Sequence, residues 1–171
     1  MTFSYISTEN FKTPYNTYVR PYLEYCVQIW NPYLQKDIAC LEKIQRRATK
    51  LVHGFNKMSY KQRLEALGLY SLQRRRLRGD LIETYKILTG NEKINSDELF
   101  QKATTTNLRG HSLNLYKQSS RLELRKHFFC QIVIDHWNKL PNNVVCAASI
   151  STFKKRLDIW IDRYGHYKLT A

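Results

Sequence analysis

TYVRPYLEYCVQIWNPYLQKDIACLEKIQRRATKLVHGF, residues Thr17 to Phe55, reads as two helices broken at Asn31-Pro32. In the second half, Lys36 to Val52, a helical wheel gathers Ile38, Leu41, Ile44, Ala48, Leu51 and Val52 on one side. Lys36, Lys43, Arg46, Arg47 and Lys50 gather on the other. The first side is expected to build a core and the second to face a partner or water. In the first half, Tyr18 to Trp30, an apolar arc of Val19, Tyr22, Leu23, Cys26, Val27 and Trp30 stands opposite Arg20, Glu24 and Gln28. Helices thus set the fold class.

On the N-terminal side, Met1 to Asn16 shows no helical or strand period and reads as a loose leader. On the C-terminal side, Ser59 with Gln62 three residues on makes a capping box for a short helix to about Leu67, stopped by Gly68. Ser71 caps a longer helix, Leu72 to Thr89, ended by Gly90. Its buried side is marked by Leu77, Leu81, Tyr85 and Leu88, yet Arg74 and Arg78 lie in or beside the same sector. Either these arginines lay their stems on the core and reach an acid such as Glu24, or Arg74, Arg75 and Arg78 form a phosphate-binding ridge. Asp80, four residues after Arg76, is placed to balance it. Gly79 inside this helix costs about 1 kcal/mol relative to alanine, which suggests a close neighbour there.

Residues 91–110 loosen into a linker, with a short element from Asp97 to Lys102 capped by Ser96 and the polar run Ala103 to Asn107. Beyond it His111 to Tyr116 and Arg121 to Arg125 alternate around Gln118-Ser119-Ser120, the pattern of a small hairpin. Such a hairpin is marginal alone and must lean on helices. Phe128 to Lys139 returns to helical period, with Phe129, Ile132, Val133, His136, Trp137 and Leu140 on one face and Pro141 after it. A last helix, about Ser151 to Asp162, turns Phe153, Leu157, Trp160 and Ile161 inward. The expected architecture is mainly α: a helical thumb-like bundle (17–90), the linker (91–110), a hairpin with two further helices (111–163), and a tail (164–171).

At 171 residues, with 43% hydrophobic and 13% aromatic side chains, the chain can bury a core and is too rich in packing groups to be disordered. Its 28 Lys and Arg against 14 Asp and Glu leave a formal charge of +14, a field that attracts nucleic acid or an anionic membrane surface. No apolar run approaches the roughly 20 residues of a bilayer span, and the N-terminus lacks the pattern of a secretory signal. A nuclear or cytoplasmic location is the expectation. Cys26, Cys40, Cys130 and Cys146 are scattered among apolar or helical neighbours and read as reduced, buried thiols. His127 and Cys130 could share a helix face, but neither a C-x-x-C nor an H-x-x-x-H occurs, so no metal or cofactor is expected.

No catalytic constellation appears in the sequence. It holds no Gly-rich phosphate loop, no G-x-S-x-G, no H-E-x-x-H and no adjacent aspartates for two-metal nucleotidyl transfer. What it offers is three basic clusters with aromatics between them: Lys43, Arg46, Arg47 and Lys50; Arg74, Arg75 and Arg78; and the loop Arg109-Gly110-His111. Together they could track a sugar-phosphate backbone, and the expected contacts are Lys43, Arg46, Arg47, Lys50, Arg74, Arg75, Arg78 and Arg109.

The run Tyr18-Val19-Arg20-Pro21-Tyr22-Leu23-Glu24-Tyr25-Cys26, followed by Trp30-Asn31-Pro32, resembles a segment just beyond the polymerase palm in LINE-type (non-LTR) retrotransposon reverse transcriptases of jockey-like and related clades. The likeness continues through Leu41 to Lys50, Tyr60 to Leu69, Leu72 to Asp80 and Tyr85 to Leu88. It resumes at Arg109-Gly110-His111-Ser112-Leu113, Arg125 to Phe129, Trp137-Asn138-Lys139-Leu140-Pro141 and Ser151 to Lys154, so it covers about Thr17 to Ile161. The resemblance implies a thumb-like helical module and a C-terminal region that grips template RNA or an RNA/DNA duplex, with the polymerase palm as a possible protein partner. The family's paired catalytic aspartates lie upstream of the matching segment, so the resemblance brings no polymerase active site and no endonuclease. Met1 to Asn16 departs from the family pattern and reads as a new start on a truncated copy. The competing expectation is a protein-interaction remnant without a nucleic-acid role.

Overall fold

A computed structural model describes residues 6–104 and 111–164. The chain is mainly helical with one small two-stranded antiparallel sheet among the described residues. It divides into two units, Met1–Arg76 and Leu77–Ala171.

The expected leader, Met1 to Asn16, contains helix α1 (Thr8–Pro14), whose N-cap Ser7 accepts from the Asn10 amide at 3.3 Å. Phe11 and Tyr15, one turn apart, stack at 5.2 Å between ring centroids and are buried with Val52 and Leu67. Ile6 bridges Val52 in a parallel pair, which ties Ile6 to this core. Pro14 and Pro21 each remove a helical donor, and the run between them slips into a π-helical turn, Tyr15–Val19, before α2 (Arg20–Glu24). The aromatic i, i+4 spacing was the available signal, masked by Pro14.

The expected helix Tyr18 to Trp30 is also interrupted. Tyr25 is extended and Cys26 left-handed (φ 48°), and α3 (Val27–Trp30) starts afresh. The break frees the Leu23 carbonyl from helical pairing, and the buried Arg76 guanidinium donates to it at 3.4 Å. Asn31, held extended by the following proline, separates α3 from α4 (Gln35–Thr49). Next come α5 (Tyr60–Leu67) and α6 (Leu72–Leu88), as the cap signals predict. Ser59 and Gln62 form the capping box, and Ser71 accepts from the Arg74 amide at 3.3 Å. Both helices end in left-handed glycines: the Leu69 amide returns to the Leu64 carbonyl past Gly68, and the Asn91 amide to Lys86 past Gly90.

The boundary between units falls inside α6, at Arg76 and Leu77, and not in the expected linker 91–110. Past that point α6 carries its own core residues, Leu81, Ile82, Tyr85 and Ile87, which explains why the division precedes the loop. Gly79 has no neighbour within 4 Å of where a Cβ would sit, so the close approach expected there is absent. Gly79→Ala should therefore stabilise the chain by about 1 kcal/mol in urea melts; a destabilised variant would contradict the helix-propensity account.

In the second unit, α7 (Ser96–Leu99) is capped by Asn95, in place of the expected Ser96. Strand β1 (Gln101–Lys102) pairs with β2 (Leu115–Tyr116), Gln101 opposite Tyr116 and Lys102 opposite Leu115. A small antiparallel pair is thus present, but Arg121 to Arg125 is not its second strand. That stretch leads into α8 (Glu123–Lys126), with Leu122 and Leu124 exposed. The reason lies in Asn138, whose side chain pairs with both backbone groups of Leu115 (2.9 and 2.8 Å) and occupies the hydrogen-bonding edge a second strand would need. Helices α9 (Phe129–Trp137), α10 (Asn142–Val145) and α11 (Ile150–Tyr164) complete the unit.

Its core centres on Trp137, Phe153, Leu157 and Leu81, all fully buried. Tyr85 stacks on Phe153 at 4.2 Å and donates its hydroxyl to the Ala147 carbonyl at 2.6 Å. Trp137 donates to the Leu113 carbonyl at 2.8 Å, and its own carbonyl takes the Nε2–H of His111 at 3.0 Å. His111 is buried, and burial depresses its pKa; burial, with Lys139 nearby, also lowers that of half-buried His136. His111 is therefore a core residue, while Arg109 and Gly110, the rest of the expected basic loop, lie outside the described residues.

Candidate nucleic-acid interface

Helix α4 has a buried inner face and an exposed outer one. Its inner face is not the apolar stripe expected from the sequence: the buried side chains are Glu42, Gln45 and Thr49. Ile44 is 44% exposed and Leu51, just past the helix, 61%. The wheel explains the shift. Ile38, Leu41, Ala48 and Val52 fall within the same sector as Glu42, Gln45 and Thr49, whereas Ile44 and Leu51, seven apart, lie well outside it.

The polar side chains inside each make at least one hydrogen bond, and Gln45 Oε1 is the one atom of this seam without a partner among the described residues. The Glu42 carboxylate accepts the Tyr60 hydroxyl and the Leu72 amide (3.1 Å), so a negative charge sits at the N-terminal end of α6 where the helix dipole favours it. Gln45 donates to the Tyr70 carbonyl at 2.9 Å. Buried Arg63 spans from Thr49 Oγ1 (3.2 Å) to the Met58 carbonyl (2.8 Å). Burial, and next the Glu42 hydrogen bond, push the Tyr60 phenol well above its ordinary pKa. This seam fixes α4 rotationally against α5 and the start of α6.

With that rotation fixed, Lys43, Arg46, Arg47 and Lys50 all lie exposed on one outer stripe, and Lys36 extends it by two turns. Among the described residues no carboxylate pairs with these five cations. Arg46 lies 4.8 Å above the Tyr60 ring, a cation–π contact that holds its guanidinium in place.

The second expected cluster is disposed differently. Arg75 makes a bidentate pair with Glu24, with Nη2 at 3.0 Å. Arg78 grips Asp158 through Nε (2.5 Å) and Nη2 (2.9 Å). Arg74 stacks on Tyr70, 3.8 Å from the ring centroid. These arginines are committed to internal partners, and it is Arg75, not Arg74 or Arg78, that reaches Glu24. Arg109 lies outside the described residues. No protein-family model, curated protein or solved structure matches the chain.

Two thiols depart from expectation: Cys40 and Cys146 are exposed, Cys40 on the outside of α4 and Cys146 donating to Asn142 Oδ1 at 3.2 Å. All four cysteines are free, and no three metal-ligating side chains gather among the described residues. No helix among them is long and apolar enough to cross a membrane. Sequence reading missed the polar seam of Glu42, Gln45, Thr49 and Arg63. Its one signal was i, i+3, i+7 spacing of the first three along α4, which apolar periodicity does not register.

Proposed function

We propose that this chain holds RNA or an RNA/DNA duplex through the basic stripe of α4, as the thumb-like, nucleic-acid-binding C-terminal portion of a LINE-type reverse transcriptase without a palm active site. One observation carries the proposal: Lys43, Arg46, Arg47 and Lys50 share one exposed helix face and lack carboxylate partners among the described residues. A phosphate backbone laid along such a stripe releases condensed counterions, which drives binding with little regard to base sequence. Arg75 and Arg78, already paired, add little to that contact. The chain binds a strand and does not copy one, so the purified protein should incorporate no nucleotides.

Affinity for RNA or hybrid duplex should fall steeply as salt rises. Replacing any one of the four with glutamine should flatten the log–log slope by about 0.7 for single strands to about 0.9 for duplex. A flat salt response would refute the reading. A second reading, a protein-interaction surface for a partner such as a polymerase palm, draws support from Tyr18, Tyr22, Tyr25 and Ile29, which are between 70% and 84% exposed. It predicts RNA affinity indifferent to the α4 substitutions.

A further inference from the structure

In the second unit, the turn after α9, the start of α10 and the outer flank of α11 enclose a cleft of about 360 Å3. That is at the small end of ligand pockets, which run from roughly 300 to 1,000 Å3, so the cleft has room for one compact ligand. Three cations line it, Lys139 from the turn and Arg156 and Arg163 from α11, and no carboxylate does. Nor does a carboxylate pair with any of the three among the described residues. Asp158, on the same helix, is taken by Arg78, and Asp162 falls about 100° around the helix from Arg163.

The spacing on α11 adds a flat apolar wall to this charge. Arg156, Ile159, Trp160 and Arg163 follow at i, i+3, i+4 and i+7, so they form one stripe. Trp160 is half-buried, packs against the core and lines the cleft, while Ile159 is exposed beside it. Arg156 donates one η N–H to the Asn143 carbonyl, which orients the guanidinium and leaves its other donors for a ligand. Three clustered cations repel one another unless an anion joins them, and a guanidinium pair is suited to phosphate. An indole beside them is suited to a planar ring.

From this arrangement we infer that the cleft binds a single nucleotide, with its phosphate among Lys139, Arg156 and Arg163 and its base against Trp160 and Ile159. The cleft belongs to the second unit and α4 to the first, and the inference does not depend on the reading proposed for that helix.

The test is a titration of the 15N-labelled full chain with AMP, following the indole N–H of Trp160 as assigned with Trp160→Phe. AMP should move that resonance to saturation, and adenosine or inorganic phosphate should each bind at least about tenfold more weakly, since each supplies half of the contact. Arg163→Gln, at an exposed position, should weaken AMP about tenfold, the size of one charge-assisted hydrogen bond, with the free-protein spectrum otherwise retained. Substitutions on the α4 stripe should leave AMP binding unchanged. The inference fails if AMP does not move the Trp160 indole, if phosphate alone binds as tightly as AMP, or if Arg163→Gln has no effect.

Discussion

Trp137→Ala should destabilise the second unit by about 4 kcal/mol, as expected for deleting a large buried aromatic whose cavity cannot fully collapse. The side chain is fully buried, lies 6.1 Å from the Phe153 ring and 5.8 Å from that of His111, and gives its indole N–H to the Leu113 carbonyl. Truncation removes the packing and also leaves that carbonyl without its donor. Since a domain's whole stability is about 5–15 kcal/mol, urea unfolding followed by circular dichroism should show a large early transition. A loss below about 1 kcal/mol would mean that Trp137 is not the centre of this core. Trp137→Phe should lose less, because most of the packing volume remains, although the hydrogen bond and part of the ring go.

Glu42→Ala should cost about 3 kcal/mol in the first unit, since it strands two donors at once. The Tyr60 hydroxyl and the Leu72 amide both end on this carboxylate, the amide fully buried and the hydroxyl partly so. Glu42→Gln keeps one acceptor oxygen and should recover about half of the loss. Denaturant melts of both variants give the comparison. If alanine and glutamine behaved alike and both were neutral, the polar seam would not be what orients α4.

Helix caps were the most legible part of this sequence. Ser59 with Gln62, Ser71, Gly68 and Gly90 each specify backbone geometry within a few residues, and each sits where the local signal puts it. The mainly helical class with a small antiparallel pair was legible for the same reason. Strand partners were not. The alternation at Leu122 and Leu124 is local, whereas the edge of Leu115 is occupied by Asn138 from 23 residues away, a choice no local pattern encodes. Helix α4 illustrates a different limit. Apolar periodicity picked out Ile44 and Leu51, but the orientation is set by hydrogen bonds of Glu42, Gln45 and Thr49, which hydropathy counts as surface residues. In the basic clusters, charge was readable and pairing was not. Whether an arginine faces solvent depends on carboxylates far along the chain, Glu24 for Arg75 and Asp158 for Arg78.

The stripe itself is best tested by neutralising it whole. K43Q/R46Q/R47Q/K50Q changes only exposed side chains, so the far-UV spectrum should stay as it was. Its RNA affinity should lose about 3 units of salt slope, four contacts at roughly 0.7 to 0.9 each. A folded quadruple variant that binds RNA with the slope of the parent chain would contradict the account.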